Sequence, residues 1–318
     1  MLSRSLQIFF TLTCLSLPLY CYTIDNDCGV DRDFVQQGAD DAFALAATAV
    51  AELTRNPINP AIDVIFQKLF GQTVANRITN KDLLEVNLMK LATISQLDGA
   101  IGQADTDVRF YCTTKRIEKR DDGQYYNKDT DYVYPESEIT SRWASCFDLI
   151  EPTLAITTNP DRGPSEIQIC PWYLSKARGV KFRDFKSINA ITWGALARVS
   201  MPLVSSFFYT PIDAFHLFDK VLLHELTHTY QFGRAIDMGN PGSPYGWKNC
   251  KGLANIFMAT GGTDNNLDPQ WNSDSIALLC SAIQLTVNGI TVQDDGKLNP
   301  PQRNRKRDVV MYPVTWVA

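Results

Sequence analysis

Residues 224–228 read His224-Glu225-Leu226-Thr227-His228 and are entered from an apolar run, Val221-Leu222-Leu223. On a helix the two histidines stand at i and i+4, so both imidazoles leave one face and can grip a single metal ion. Glu225 lies about a quarter turn round the same helix, where it can hydrogen-bond a water on the metal without being a ligand. Imidazoles plus a carboxylate, with one position left open, form the hydrolytic arrangement of zinc. The chain has only three histidines, so two of them falling at this spacing around a Glu argues against a helix that merely happens to carry them. The third, His216, lies eight residues before His224 on the same expected helix. That is too far along to join the site, and it reads as a surface or core residue.

A zinc site of this kind needs a third protein ligand. No histidine follows His228 and no glutamate follows Glu225, which excludes a three-histidine set and a downstream Glu ligand. The downstream carboxylates are Asp237, Asp264, Asp268, Asp274, Asp294, Asp295 and Asp308. The ligand set is therefore two histidines and an aspartate, unless the third ligand lies upstream.

The helix that must present these groups is expected to open at Pro211, a first-turn position where Pro is tolerated. Leu217, Val221, His224 and His228 then continue one core-facing stripe, which would hold the imidazoles in fixed rotamers. Upstream, residues 22–106 read as helical. Asp40 is a plausible cap for a stripe of Phe43, Ala47, Val50 and Leu53 that stops at Asn56-Pro57. A second helix covers Ile62 to Phe70 and ends at Gly71, and a third, after Asn80, carries Leu84, Leu88, Leu91 and Ile94. The pattern then changes to strands at Val108 to Cys112 and Tyr132 to Tyr134, with turn chemistry at Arg120-Asp121-Asp122-Gly123. Trp143 to Leu149 fits either a helix or a strand. Ser165 to Ile169 alternates as a strand, and Pro171 after it suggests a sheet edge, where an extended peptide can pair. Ile188 to Val204 is apolar, and from Asn288 a tail with the basic run Arg303 to Arg307 and a possible edge strand at Val309 to Val317 closes the chain.

The composition sets the compartment. At 318 residues and 45% apolar content the chain can bury a sizeable core. A net charge of -5 offers no footprint for nucleic acid, whose partners are strongly basic. Arg4 followed by the apolar run Leu6 to Leu19 reads as a secretory leader, residues 1–21, with cleavage expected after Cys21. No later stretch is long and apolar enough for a membrane span, so a secreted, soluble monomer without a membrane partner is expected. Of the eight cysteines, Cys14 and Cys21 fall in the leader. Cys28, Cys112, Cys146, Cys170, Cys250 and Cys280 remain, an even set that suggests three disulfides. None has C-x-x-C spacing, so a second, cysteine-built zinc site is not expected, and there is no N-x-S/T sequon.

With these residues in hand the chain resembles the deuterolysin-type metalloendopeptidases, or aspzincins, secreted mainly by fungi. The resemblance rests on His224 to His228, on Tyr245-Gly246, and on Asn272-Ser273-Asp274-Ser275-Ile276-Ala277, which is similar to the family's N-A-D-x-Y-A stretch. The strand before Cys170 fits as well, so the likeness runs from about Leu154 to Ile283. It implies an α+β, zincin-like metallopeptidase domain over 107–287, with the motif helix, a small mixed sheet and the N-terminal helical region, and a tail over 288–318. It also implies one catalytic Zn2+ and protein or peptide substrates. Glu225 would be the general base and Tyr245 a donor to the developing oxyanion. One departure matters: the family's ligand aspartate stands three residues before the tyrosine, and that position here is Gly242. Asp237, nine residues after His228, suits a turn returning the chain to the metal and is taken as the third ligand. Asp274 and Asp264 stay open as alternatives, Asp274 also as a supporting carboxylate. A serine or cysteine hydrolase is disfavoured because only His216 would be free as a base. A descendant that keeps zinc and serves as a non-catalytic binding or surface protein is the competing reading.

Overall fold

Two layers carry the motif: a mixed sheet, and helices laid against it. The computed structural model describes residues 21–74, 88, 95–96, 108–134, 139–147, 153–161, 163–179, 210–214, 218–238 and 243–299. The strands are β1 (Cys21–Ile24), β2 (Ser95–Gln96), β3 (Val108–Tyr111), β4 (Ile117–Lys119), β5 (Tyr125–Asn127), β6 (Tyr132–Val133), β7 (Ala155–Thr158), β8 (Ser165–Ile169), β9 (Thr291–Val292) and β10 (Leu298–Asn299). The helices are α1 (Arg32–Leu53), α2 (Pro60–Phe70), α3 (Ile139–Phe147), α4 (Pro171–Gly179), α5 (Phe218–Thr227), α6 (Trp247–Ala259) and α7 (Ser273–Val287), with a short helical turn at Pro211–Ala214. The class is α+β.

The main sheet has the order β2-β1-β3-β8-β7. β1, β2, β3 and β8 run parallel, and β7 pairs antiparallel with β8, Thr157 opposite Ile167. β8 lies between β3 and β7, and every one of its residues is buried. The edge position expected for this strand is therefore wrong. Pro171 does not mark an edge; it opens α4, where its missing N–H costs nothing. Among the described residues the edge is β7, one strand further out.

α1 begins at Arg32, not at Asp40, which sits inside the helix and accepts a hydrogen bond from the Tyr22 hydroxyl at 2.7 Å. Its buried stripe is Val35, Ala39, Ala42, Ala46, Ala49 and Leu53. Small side chains along that stripe let α1 lie close against α5 and α7. At Gly38 a Cβ would come within 2.4 Å of the Phe218 ring, so only glycine permits the approach of the two helices there. α2 ends on Gly71 in the left-handed region (φ 73°), as its sequence suggests. β1 precedes these helices and lies within the sheet, so the N-terminal region is not helical throughout; Cys21, expected as the last leader residue, is the first residue of this strand. The leader itself, the third N-terminal helix apart from Leu88, the Ile188 to Val204 stretch, His216, Gly242 and the basic tail lie outside the described residues. Ile290 and Val292 are buried beside α7, so the start of the expected tail belongs to the core.

Arg120 to Gln124 closes a hairpin between β4 and β5. This smaller sheet is fastened to β8 by a buried polar network. Arg116 reaches Gln168 at 2.5 Å and Glu166 at 3.4 Å, and lies 3.4 Å over the Tyr111 ring. Asn127 and the Tyr134 hydroxyl donate to the same Glu166 carboxylate.

The disulfides are Cys28–Cys112 and Cys146–Cys170. The third expected bridge is absent: Cys250 and Cys280 are buried free thiols. Cys250 Sγ instead faces polar groups, 3.6 Å from Asp274 Oδ2 and 3.5 Å from Asn272 Nδ2. Two disulfides fit an oxidising, extracellular setting, and no helix among the described residues is long and apolar enough to cross a membrane.

Candidate metal centre

α5 is buried along its whole length, packed between α1, α7 and β7, which explains its unbroken apolar entry. It holds His224 and Glu225 in its last turn. His228 is the first residue past the helix end, where the bonds tighten to His228 N–Glu225 O (3.1 Å) and Thr229 N–Leu226 O (3.2 Å). Asn159 fixes this end by donating to His228 O at 2.9 Å and accepting from Tyr230 N. The chain then reverses through Gly233 (φ 98°) and Arg234 (φ 56°). Ala235 N bonds Thr227 O, and Ile236 pairs with the start of α7 through Trp271 O (2.8 Å) and Ser273 N (3.0 Å). Met238 N donates to Asn272 Oδ1 at 3.0 Å. Both neighbours of Asp237 are thus tied to one short segment, and the return turn expected from its spacing is present.

These ties bring three ligand atoms together. His224 Nε2 is 3.2 Å from Asp237 Oδ1, His228 Nε2 is 3.3 Å from the same oxygen, and the two Nε2 atoms are 3.2 Å apart. Donors about 2.0–2.2 Å from an ion at tetrahedral angles lie about 3.3–3.6 Å from one another, so the triangle has the dimensions of one face of such a site.

The proton inventory points the same way. His228 Nδ1 lies 2.6 Å from Ala235 O and 3.1 Å from Ser273 Oγ. A carbonyl accepts only, so Nδ1 carries the proton and Nε2 presents a lone pair. His224 Nδ1 faces Asp274 Oδ1 at 3.5 Å, and a carboxylate on that side favours the same tautomer. Asp237 Oδ1 is buried and receives no hydrogen bond among the described residues. In that tautomer three electron-rich atoms face one another, and a cation would resolve the conflict. Without one, a proton must do so. Burial pushes the His224 pKa down, yet the Asp237 carboxylate outweighs it and raises it well above the ordinary imidazole value. Burial likewise works to raise the Asp237 pKa, but the two imidazoles hold it far below the usual carboxylate range.

Supporting groups surround the triangle. Asp274 Oδ2 accepts from Gly246 N at 2.6 Å, and Gly246 (φ 88°) holds a conformation that favours glycine. Asp274 is thus a carboxylate behind His224, not a member of the ligand group, and Asp264 lies apart, accepting from Asn266 N. The Tyr245 hydroxyl donates to Asp237 Oδ2 at 2.9 Å, with its ring 5.8 Å from that of His224. Arg142 Nη2 on α3 meets the same oxygen at 3.4 Å. Glu225 stands outside the ligand group. Its Oε2 accepts from Thr157 Oγ1 on β7 at 2.7 Å, and the same hydroxyl lies 2.9 Å from Glu225 O.

Sequence reasoning missed Arg142 and Thr157. Both reach the site from distant segments, Thr157 being 68 residues from Glu225, and neither belongs to a recognisable spacing. Asn272 and Ser273 stood within the resembling stretch, but their tasks, holding Met238 and touching His228, became visible only once α7 was placed. No family model matches the chain, and no curated protein or solved structure compared with it does either.

Proposed function

We propose that this chain is a secreted zinc-dependent endopeptidase of the deuterolysin type with a zincin-like fold. The observation that carries the reading is the convergence of His224 Nε2, His228 Nε2 and Asp237 Oδ1 without a donor, next to a carboxylate held on the same helix. Two imidazoles and one carboxylate suit zinc better than the harder cations, which prefer all-oxygen sets. Bound there, zinc supplies Lewis acidity that polarises a carbonyl and acidifies a water.

The chain's own groups do the rest. Thr157 occupies Glu225 Oε2, so Oε1 is the oxygen that takes the water's proton and later returns it to the leaving amine. Asp274 and Ala235 O hold the imidazoles in the metal-binding tautomer. A peptide substrate is favoured by β7: its outer edge pairs with no described strand, and its Thr157 touches Glu225. An extended chain added along β7 would run past the base.

Purified protein should cleave an unfolded protein substrate, lose that activity to a zinc chelator and regain it with zinc. Zinc uptake without any cleavage would favour the non-catalytic reading instead.

A further inference from the structure

Asp237 is unusual among the three ligand residues because its two oxygens are treated differently. Oδ1 is buried, free of donors, and faces both Nε2 atoms. Oδ2 takes the Tyr245 hydroxyl at 2.9 Å and the Arg142 guanidinium at 3.4 Å. The two groups come from different segments, α3 and the turn before α6, and meet on one oxygen. We infer that Arg142 and Tyr245 are positioning residues that clamp Asp237 Oδ2, so that the carboxylate offers the metal Oδ1 alone.

This rests on the metal reading above and gives Tyr245 a task other than donation to the substrate: its hydroxyl proton is engaged by the ligand. A carboxylate has soft rotation about its last bond and can present one oxygen or two to a cation. The Tyr245 hydrogen bond and the guanidinium charge on Oδ2 restrict that freedom, and the same charge offsets the negative charge drawn into a site walled by Asp274 and Glu225. Arg142 is itself held in place. Its neighbour Trp143 is buried against Tyr134, with ring centroids 5.3 Å apart, and Cys146, one turn on, is bridged to Cys170 at the end of β8. Anchoring of this kind places the guanidinium charge accurately behind the carboxylate, as support of a metal ligand requires.

The test is zinc affinity, measured by competition with a chromophoric chelator on the purified protein. Tyr245 is 38% exposed and the Arg142 side chain 39%, so Tyr245→Phe and Arg142→Met should fold as the wild type does. Each is expected to weaken zinc binding about tenfold or more, the range for groups that orient ligands, and Arg142→Lys should recover part of the loss. The cobalt-substituted variants should show weaker visible bands than cobalt-substituted wild type, as the released carboxylate turns both oxygens to the ion and coordination rises; a purely structural role would leave that spectrum unchanged. Wild-type affinity and an unaltered cobalt spectrum in both variants would overturn the clamp. A wild type that takes up no zinc would overturn the clamp together with the metal site. A wild type that binds zinc and cleaves nothing would end the peptidase reading alone, since the clamp is judged on affinity.

Discussion

Asp274→Asn tests how the histidines are held. The aspartate uses both oxygens, Oδ2 for Gly246 N at 2.6 Å and Oδ1 facing His224 Nδ1 at 3.5 Å. Asparagine keeps the shape but has a single acceptor. If its oxygen turns to His224, its NH2 meets the Gly246 N–H donor to donor, at about 1–3 kcal/mol in a buried site. The shorter Gly246 bond therefore keeps the oxygen, and the NH2 faces Nδ1. His224 then places its proton on Nε2, the atom the metal needs. Groups of this kind carry tenfold to hundredfold in metal affinity, about 1.4–2.7 kcal/mol at ~1.36 kcal/mol per decade. The wrong tautomer puts Asp274→Asn in the upper half of that range. Chelator competition at neutral pH measures it directly, with circular dichroism to verify that the variant is folded. A folded Asp274→Asn protein that binds zinc within threefold of wild type would refute the tautomer argument.

Two further outcomes follow from contacts elsewhere. Thr157→Val removes the hydrogen bond to Glu225 Oε2 and preserves side-chain shape. Bonds to a charged group are worth about 1.5–3 kcal/mol, so kcat should fall about tenfold or more while zinc affinity is unchanged; loss of zinc instead would show that β7 supports the ligands. Burial pushes the Cys280 thiol up to about 12 and, with help from Asp274, the Cys250 thiol well above its ordinary value. Neither forms appreciable thiolate near pH 8, so native protein should resist alkylation at both positions. Peptide mapping should find them alkylated only after denaturation, and a Cys250–Cys280 linked peptide would contradict the free-thiol assignment.

The helix that carries His224 and Glu225 was the most legible part of the chain because its information is local. An i, i+4 pair of histidines and an apolar approach both follow from helical geometry, and the absence of later His and Glu left only aspartates as downstream ligands. The spacing of Asp237 also carried information, since a short return needs few residues. What escaped was non-local. Pro171 looked the same in sequence whether it capped a sheet edge or opened α4, and only the pairing of β7 with β8 decides between them. An even number of cysteines could not reveal that Cys250 would face Asn272 and Asp274 rather than a second sulfur. Asp40 had the chemistry of a helix cap, yet the alanine stripe of α1 extends past it, and its carboxylate serves Tyr22 instead. Arg142 gave no signal at all, because its meaning depends on where the Cys146–Cys170 bridge and the packing of Trp143 set α3 down.

The central claim is that Glu225 performs the proton transfers beside a zinc held by His224, His228 and Asp237. Glu225→Gln separates the two tasks, since the glutamine stays outside the ligand group and cannot accept the proton. Metal content and peptide cleavage should be measured on the same preparation. The account requires one zinc per chain in both proteins and cleavage lost in Glu225→Gln. Cleavage at the wild-type rate by the zinc-loaded variant would contradict it.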